Sequence, residues 1–440
     1  MPATYAEDGW QNLFNGKDTS GWVQRGGRAK YTVENGEIVG TAVAGTPNSF
    51  LCTEKNYENF ILELEFKCDS DLNSGVQVRS EANAKNQPFG YQIEIDVSAK
   101  NSRWWTAGVY DEGRRSWLFP GARGGDAAAF TTQGGEVTKQ GEWNKLRVEA
   151  SGDIIRTYLN DTPRAAIRDD LTLTGFIGLQ VHNVSKKFEG TQIRFRNIRI
   201  KEGVVPGIAN GAVPLAELNY VSQKEAADGW KLLWSGNSTQ GWRSAKGPKF
   251  PAKGWSIKNG VLSVAETGGG EANAAGDIIT AKTYSDFEMV CDFKMTRGAN
   301  SGIKYFVQPD LNKSPTGSAI GLEYQILDDA VHLDAKRGKD GNRTLASLYD
   351  LLPASKDKKP NPIGEWNTAR IVSKGNHVEH WLNGQKVLEY DRKTDNFRAI
   401  VQGSKYKVWD GFGEWTAGNI LLQDHGNEVS FRNVKIRELK

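Results

Sequence analysis

Apolar and polar residues alternate along this chain in short stretches. ILELEFK (61–67), KLRVEA (145–150), QIRFRNIRI (192–200) and HVEHWLNG (377–384) each send every second side chain to one face. That period of two belongs to a half-buried β-strand. YTVENGEIVG (31–40) and WSIKNGVLSV (255–264) carry Asn35-Gly36 and Asn259-Gly260 between such runs, the dipeptide of a two-residue hairpin. No segment shows sustained helical periodicity. The pattern predicts about ten to twelve strands in each half of the chain and, at that spacing, two-sheet sandwiches of jelly-roll type.

The halves are copies. GWQNLFNGKDTSGW (9–22) returns as GWKLLWSGNSTQGW (229–242), and FILELEFKCDSDLNSGVQVR (60–79) as FEMVCDFKMTRGANSGIKYF (287–306). FGYQIEID (89–96) lies opposite IGLEYQIL (320–327), and GEWNKLRVEASGDIIRTYLND (141–161) opposite GEWNTARIVSKGNHVEHWLNG (364–384). The closing segments, ending at Glu202 and Leu439, also match. Five matches in one order define a tandem repeat. The expected domains are residues 1–203 and 222–440, joined by a linker, 204–221, of small residues, Gly and Pro. The closing FRN-I/V-x-I strand of each copy is expected to pair with that copy's first strands.

Composition narrows the class. The chain has 440 residues, 14 Trp, 49 Gly and a formal charge of +3 with no basic block, which argues against nucleic-acid binding. No apolar run reaches 18 residues, so no transmembrane segment is expected. MPATYAEDGW lacks the charged and apolar parts of a signal peptide. Cys52, Cys68 and Cys291 are an odd number without metal spacing and read as buried free thiols.

The densest chemistry lies in GLEYQILDDAVHLDAKRGKDGNRTLASLYDLLPAS (321–355), a strand running into a polar loop. Glu323 and Gln325 share one face of that strand, as Gln92 and Glu94 do in the first copy, with Asp96 following. His332 and Asp334 are two apart and could share an ion. His425 stands in QDHG beside Gln423, and His182 holds the same place in the first copy. A His–Asp–His or His–Glu–Asp metal site is conceivable, though the spacing is no zinc motif, and a divalent metal such as Ca²⁺ on Asp and backbone oxygens fits as well. Lys336 and Arg343 are the cations available to steady a developing anion. Tyr349-Asp350 repeats Tyr110-Asp111, as a proton donor or as a capped strand end. The first copy replaces the His332 loop with SRWWTAGVYDEGRRSWL, where Trp104 and Trp105 offer flat stacking faces and Glu112 adds a carboxylate.

Taken together, GW-x-x-L-F-N-G-K-x-x-x-GW, N-S-G-I/V, GEWN and H-G-x-x-x-x-FRN-x-x-I resemble the 3-keto-disaccharide hydrolase domain family. Leu333 departs from the Pro of that pattern. The resemblance covers nearly the whole chain, twice. It implies a concanavalin-like jelly roll, an oxidised disaccharide or glycoside as ligand, and an exported, periplasmic setting. It also implies cleavage of glycosides carrying a ketone at C3. Such a ketone acidifies the C2 proton, so a base can form an enolate that expels the C1 aglycone, after which water adds. On this reading Glu323, His332, Asp334, Lys336, Tyr349 and His425 are the catalytic candidates. Gln325, Arg343, Asp350 and Gln423, with Glu94, Asp96, Trp104, Trp105, Tyr110, Glu112 and His182 in the first copy, are the candidates for holding sugar. A non-catalytic carbohydrate-binding protein and a cell-envelope module are the alternatives the same fold would serve.

Overall fold

In the computed structural model, residues 9–97, 103–203, 213–271, 274–312 and 317–440 are described. The chain forms two compact units that meet between Ser222 and Gln223. Each is an antiparallel two-sheet sandwich around its own apolar core. In the first, a sheet running from Thr162–Arg168 through Phe60–Cys68 and Gln192–Glu202 to Lys30–Glu34 faces one running from Ser116–Phe119 through Pro88–Ile95 and Ser74–Ala82 to Trp22–Gly26. In the second, the larger sheet runs from Trp255–Lys258 through Val429–Glu438 and Phe287–Met295 to Gln385–Asp391. The smaller has the order Trp242–Ser244, Ile278–Tyr284, Gly418–Leu422, Asn300–Gln308, Ile320–Leu327.

The strand pattern behaves as the alternation requires. Asn35 and Gly36 (φ 50° and 79°), like Asn259 and Gly260 (φ 51° and 75°), take the left-handed geometry of tight hairpin turns. The closing strand Gln192–Glu202 pairs with Trp10–Asn12, and Val429–Glu438 with Lys231–Leu232, so each copy's end closes on its beginning. All three cysteines are free and buried, and burial pushes the Cys52 thiol up to about 12. Among the described residues no helix is long and apolar enough to cross a membrane.

Three features differ from expectation. Among the described residues the first and second units hold 15 and 13 strands, because short edge strands too brief to show a period add to the count. Three short α-helices occur among the described residues, of which Gln223–Ala227 is little more than one turn. Ala127–Val137 starts at Asp126, whose carboxylate accepts from Ala128 and Ala129 N–H, and buries Phe130 and Gly134. Asp395–Gln402 starts at Thr394 and buries Phe397 and Val401, one turn apart. Eleven and eight residues with two buried positions each leave no periodic signature. The linker, finally, is not free along its described length. Ala216 pairs with Ile167 and the Asn219 side chain donates to the Ala122 carbonyl, so this segment covers the open edge of Thr162–Arg168 on the first domain.

A charged hub supports the first domain. Asp169 is buried and accepts from Arg115 (2.9 and 3.0 Å), from Arg123 and from the Tyr91 hydroxyl. The two guanidinium groups hold its carboxyl down to about 2 despite burial. The stabilisation is therefore complete above the unfolded carboxylate value and fades as pH falls toward 2. Asp169→Asn takes the carboxylate partner from buried Arg123 and should cost about 3–5 kcal/mol. In calorimetry the transition of the first domain should drop and that of the second stay put.

Candidate functional site

The site of the second domain is built on the outward face of its five-stranded sheet. Ile303, Tyr305, Leu322, Tyr324 and Ile326 point into the core. Their alternating neighbours Lys304, Glu323 and Gln325 line a cavity of about 230 Å³. Register sets the pairs: Lys304 lies opposite Glu323, and Gly302 opposite Gln325. The cavity is completed by Gln423 and His425 from the end of Gly418–Leu422, by Tyr349, and by Lys405, Tyr406 and Trp409 from the segment following the Asp395–Gln402 helix.

The Asn300-Ser301-Gly302 motif acts through all three residues. Asn300 Oδ1 accepts from Gln325 Nε2 (3.0 Å) and its Nδ2 donates to His425 Nε2 (3.3 Å). Ser301 Oγ donates to the Gln423 carbonyl at 2.8 Å, tying two strands together. A Cβ on Gly302 would lie 2.3 Å from Glu323 Oε1, so only glycine leaves the carboxylate its place. The Asn300 contact leaves the His425 proton on Nδ1, which has no partner among the described residues; Gln325 Oε1 and Gln423 Oε1 have none there either. Gln325, Gln423 and His425 all line this one cavity, and each keeps one buried polar atom that no described residue pairs.

Electrostatics single out Glu323. It is 5% exposed, and loss of water raises its pKa above the usual carboxylate value, against the pull of Lys304 at 3.5 Å and of Lys405. Lys304 is itself buried and committed, donating to Ser318 Oγ and the Ala319 carbonyl, while Ser318 donates to buried Asp277. Desolvation keeps the Lys405 amine below the ordinary lysine value, Glu323 pulls it up and Lys304 pushes it down again.

Of the residues proposed from sequence, Glu323, Gln325, Tyr349, Gln423 and His425 line this cavity. His332, Asp334 and Arg343 line an adjoining pocket of about 510 Å³ that shares Asn300, Tyr349 and His425 with it. The His332 and His425 rings stand edge to face at 6.4 Å. Asp334, expected among the chemical groups, is instead a brace: one oxygen accepts from Arg343 (2.9 Å) and the other from the Tyr349 hydroxyl (2.7 Å). His332 Nδ1 accepts from the Asp334 backbone N–H, so the pair does not converge on one point. Arg343 is equally spent, its second contact being Asp350 at 2.7 Å. Asp350 is buried against Arg343 and accepts from the Lys405 backbone N–H, so it positions the lysine segment rather than touching a ligand. Lys336 is exposed and lines neither pocket. The cations at the cavity are Lys304 and Lys405, which sequence reasoning missed, along with Asn300, Tyr406 and Trp409. Lys304 had a signal, since it shares a strand face with Gly302 two residues earlier; Lys405 in SKYK had none. Among the described residues, the group of side chains close enough to share a metal is His377, Glu379 and Glu389, which belongs to the other sheet.

The first domain builds the same frame with different chemistry. Gln77 and Gln92 replace Lys304 and Glu323, and Gln92 Oε1 accepts from Gln77 (3.0 Å) and Gln180 (2.9 Å). The carboxylate has moved two residues along the strand to Glu94, held by Asn73 (2.7 Å) and Gln92 (3.1 Å). Burial raises Glu94 to about 7. A pocket of about 420 Å³ brings Glu94, Tyr110, Glu112 and His182 together with Trp117. Asp96 lies beneath it, paired with Arg103 at 2.8 Å. Trp104 and Trp105, expected as sugar platforms, do not line it. The Trp104 carbonyl accepts from Arg164, and Trp105 donates to Thr131 and packs edge-on against Trp117, with Arg103 over both rings. Asp111, the partner of Tyr110 in the repeated Tyr-Asp step, is fully buried by Arg114 and Arg115.

Tandem concanavalin-like sandwiches with a polar cavity and a buried carboxylate on the sheet face define a carbohydrate-active class. The chain belongs to the 3-keto-alpha-glucoside-1,2-lyase-like domain family, which it matches at residues 9–201 and again at 229–437. It is 36% identical over 243 residues to the 3-keto-disaccharide hydrolase of Bacteroides thetaiotaomicron, covering 51% of this chain and 83% of that protein. Among solved structures, a candidate glycosyl hydrolase of Parabacteroides distasonis is 31% identical, with a TM-score of 0.44 over 51% of this chain and all of that one. A second from the same organism is 28% identical, with a TM-score of 0.35 over 48% of this chain and 99% of that one. Family and curated relative together make the chain a glycoside hydrolase-like enzyme.

Because Glu94 is raised from 4.5 to about 7, the folded first domain holds its proton more tightly than the unfolded chain does. The resulting stability is full below the unfolded value and is lost as pH climbs through 7, by about 3 kcal/mol. Urea unfolding of the first domain at pH 4.5 and pH 8 should differ by that amount in the wild type, beyond any difference in Glu94→Gln.

Proposed function

We propose that the second domain cleaves glycosides already oxidised at C3, by removal of the C2 proton, elimination of the C1 aglycone and addition of water. The observation that carries this reading is Glu323: a buried carboxylate whose affinity for a proton is raised, facing a small polar cavity. A carboxylate in that state suits abstraction of a carbon-bound proton made acidic by a neighbouring ketone. The chemistry needs one base and one cationic or hydrogen-bonding group at the ketone oxygen, not the carboxylate pair of common glycosidases. Lys405 is the amine on hand for that oxygen, and Gln325, Gln423 and His425 line the cavity as the polar residues for the sugar hydroxyls. The name of the Bacteroides relative supports the substrate class.

For the first domain the replacement of Lys304 and Glu323 by Gln77 and Gln92 favours sugar binding over the same elimination. Its amides are paired with each other and leave no base at the Glu323 position.

A panel of 3-keto-glucosides and 3-keto-trehalose, followed by release of aglycone with and without divalent metal, tests the reading; an inert wild type across the panel overturns it. Glu323→Gln should lower kcat by about a thousandfold. Glu323 is faced by Lys304, Lys405, Glu271 and Asp277, and it must be ionised to act. The rate should therefore rise with pH through a value above the ordinary carboxylate range and then level off. Gly302→Ala should push the carboxylate aside and cost roughly a hundredfold in kcat, with thermal stability largely retained.

A further inference from the structure

The cavity holds two amines that differ in what they already do. Lys304 is buried between Glu323, Ser318 and the Ala319 carbonyl, and all its contacts are spent. Lys405 has no ion pair among the described residues. Its amine lies against the ring faces of Tyr349 (4.4 Å) and Tyr406 (5.2 Å), while the residue as a whole stays open to solvent. Tyr406 is itself locked by stacking on Phe412 at 4.1 Å, and the Asp350 carboxylate accepts from the Lys405 backbone N–H. The amine is thus held at the mouth of the cavity by its backbone and two rings, and its nitrogen remains uncommitted. Lys405 is also a feature of one domain alone. It sits in residues 392–417, an interval the first domain crosses with residues 169–175.

An amine under the influence of a second cation and screened from water on one side by two rings is an arrangement in which lysine becomes a nucleophile toward carbonyls. We propose that Lys405 forms an imine with the C3 carbonyl of the keto-sugar bound over Glu323, so that the elimination passes through an enamine instead of a free enolate. The inference rests on the substrate class proposed above. The lone pair of Lys405 Nζ adds to C3, and loss of the carbonyl oxygen as water leaves an iminium. Glu323 takes the C2 proton, and that bonding pair becomes the C2–C3 double bond of the enamine. The enamine then expels the aglycone: the C1–O pair departs with the oxygen, which takes the proton held by Glu323. One water adds across the resulting C1–C2 double bond. A second hydrolyses the iminium, returning the free amine and the 3-keto sugar. The water released at imine formation balances the last step, so one water is consumed per bond cleaved, and no oxidant or reductant is required. A protonated imine withdraws electrons from C2 more strongly than a ketone does, which matches a site whose other cation, Lys304, is already paired with the base.

The test uses the full chain with methyl 3-keto-glucoside, in parallel with and without sodium cyanoborohydride. Release of methanol is followed without reductant; intact mass and peptide mapping are read with it. The wild type should gain the mass of one reduced sugar on the peptide containing Lys405. Lys405→Arg keeps the charge but cannot form an imine; it should take no label and turn over at least a hundredfold more slowly, with unchanged thermal unfolding. Cleavage by the wild type with no label, or with the label on another lysine, overturns the imine. Lys405→Arg turning over at the wild-type rate does the same. A label on Lys405 without cleavage upholds the imine and sinks the proposed elimination, so the two failures are told apart.

Discussion

A missing side chain in the middle of a sheet holds this site open. Gly302 lies on the same strand as Lys304 and across from Gln325, and the Glu323 carboxylate occupies the space its Cβ would take. Around that gap the flanking residues divide the labour. Asn300 links Gln325 to His425, and Ser301 fastens the strand to the Gln423 carbonyl. Gln325, Ser301 and His425 are thereby fixed in place around the carboxylate. Burying a carboxylate there is costly, and the raised proton affinity of Glu323 is the form that cost takes.

The repeat shows what this frame tolerates. Asn73, Ser74 and Gly75 make the matching contacts in the first domain: Asn73 holds Glu94, Ser74 donates to the Gln180 carbonyl, and a Cβ on Gly75 would strike Gln92. Carboxylate and amide have exchanged places between the copies, Gln92 and Glu94 against Glu323 and Gln325. One strand step is about 3.3 Å, so the exchange moves the charge by about 7 Å along the sheet. It also leaves the carboxylate without the Lys304 counterpart: Gln77 stands where Lys304 does, and the half-buried Arg103 serves Glu94 instead.

Loops account for the remaining difference. The polar stretch after Leu327 looked in sequence like the chemical centre because charge is dense there. In the folded domain much of that charge is internal: Asp334, Arg343, Asp350 and Tyr349 bond to one another and shape a wall. The second lysine at the cavity, Lys405, comes instead from a segment more than fifty residues further on, introduced by a helix of two turns.

What the chain determined on its own was local and periodic. Alternation marked the strands, Asn-Gly the hairpins, and the fivefold ordered match the tandem domains, because each of these depends on residues a few positions apart. The same alternation put Glu323 and Gln325 on one face, and the motif residues at Asn300–Gly302 and His425 were visible as recurrences. Which groups are spent and which are free was decided only in three dimensions. Whether Asp334 is a base or a brace depends on Arg343 and Tyr349 reaching it, and whether Lys405 meets Glu323 depends on a long excursion folding back over the sheet. Charge density along a sequence cannot separate these cases, since burial and pairing are set by contacts between segments far apart in the chain.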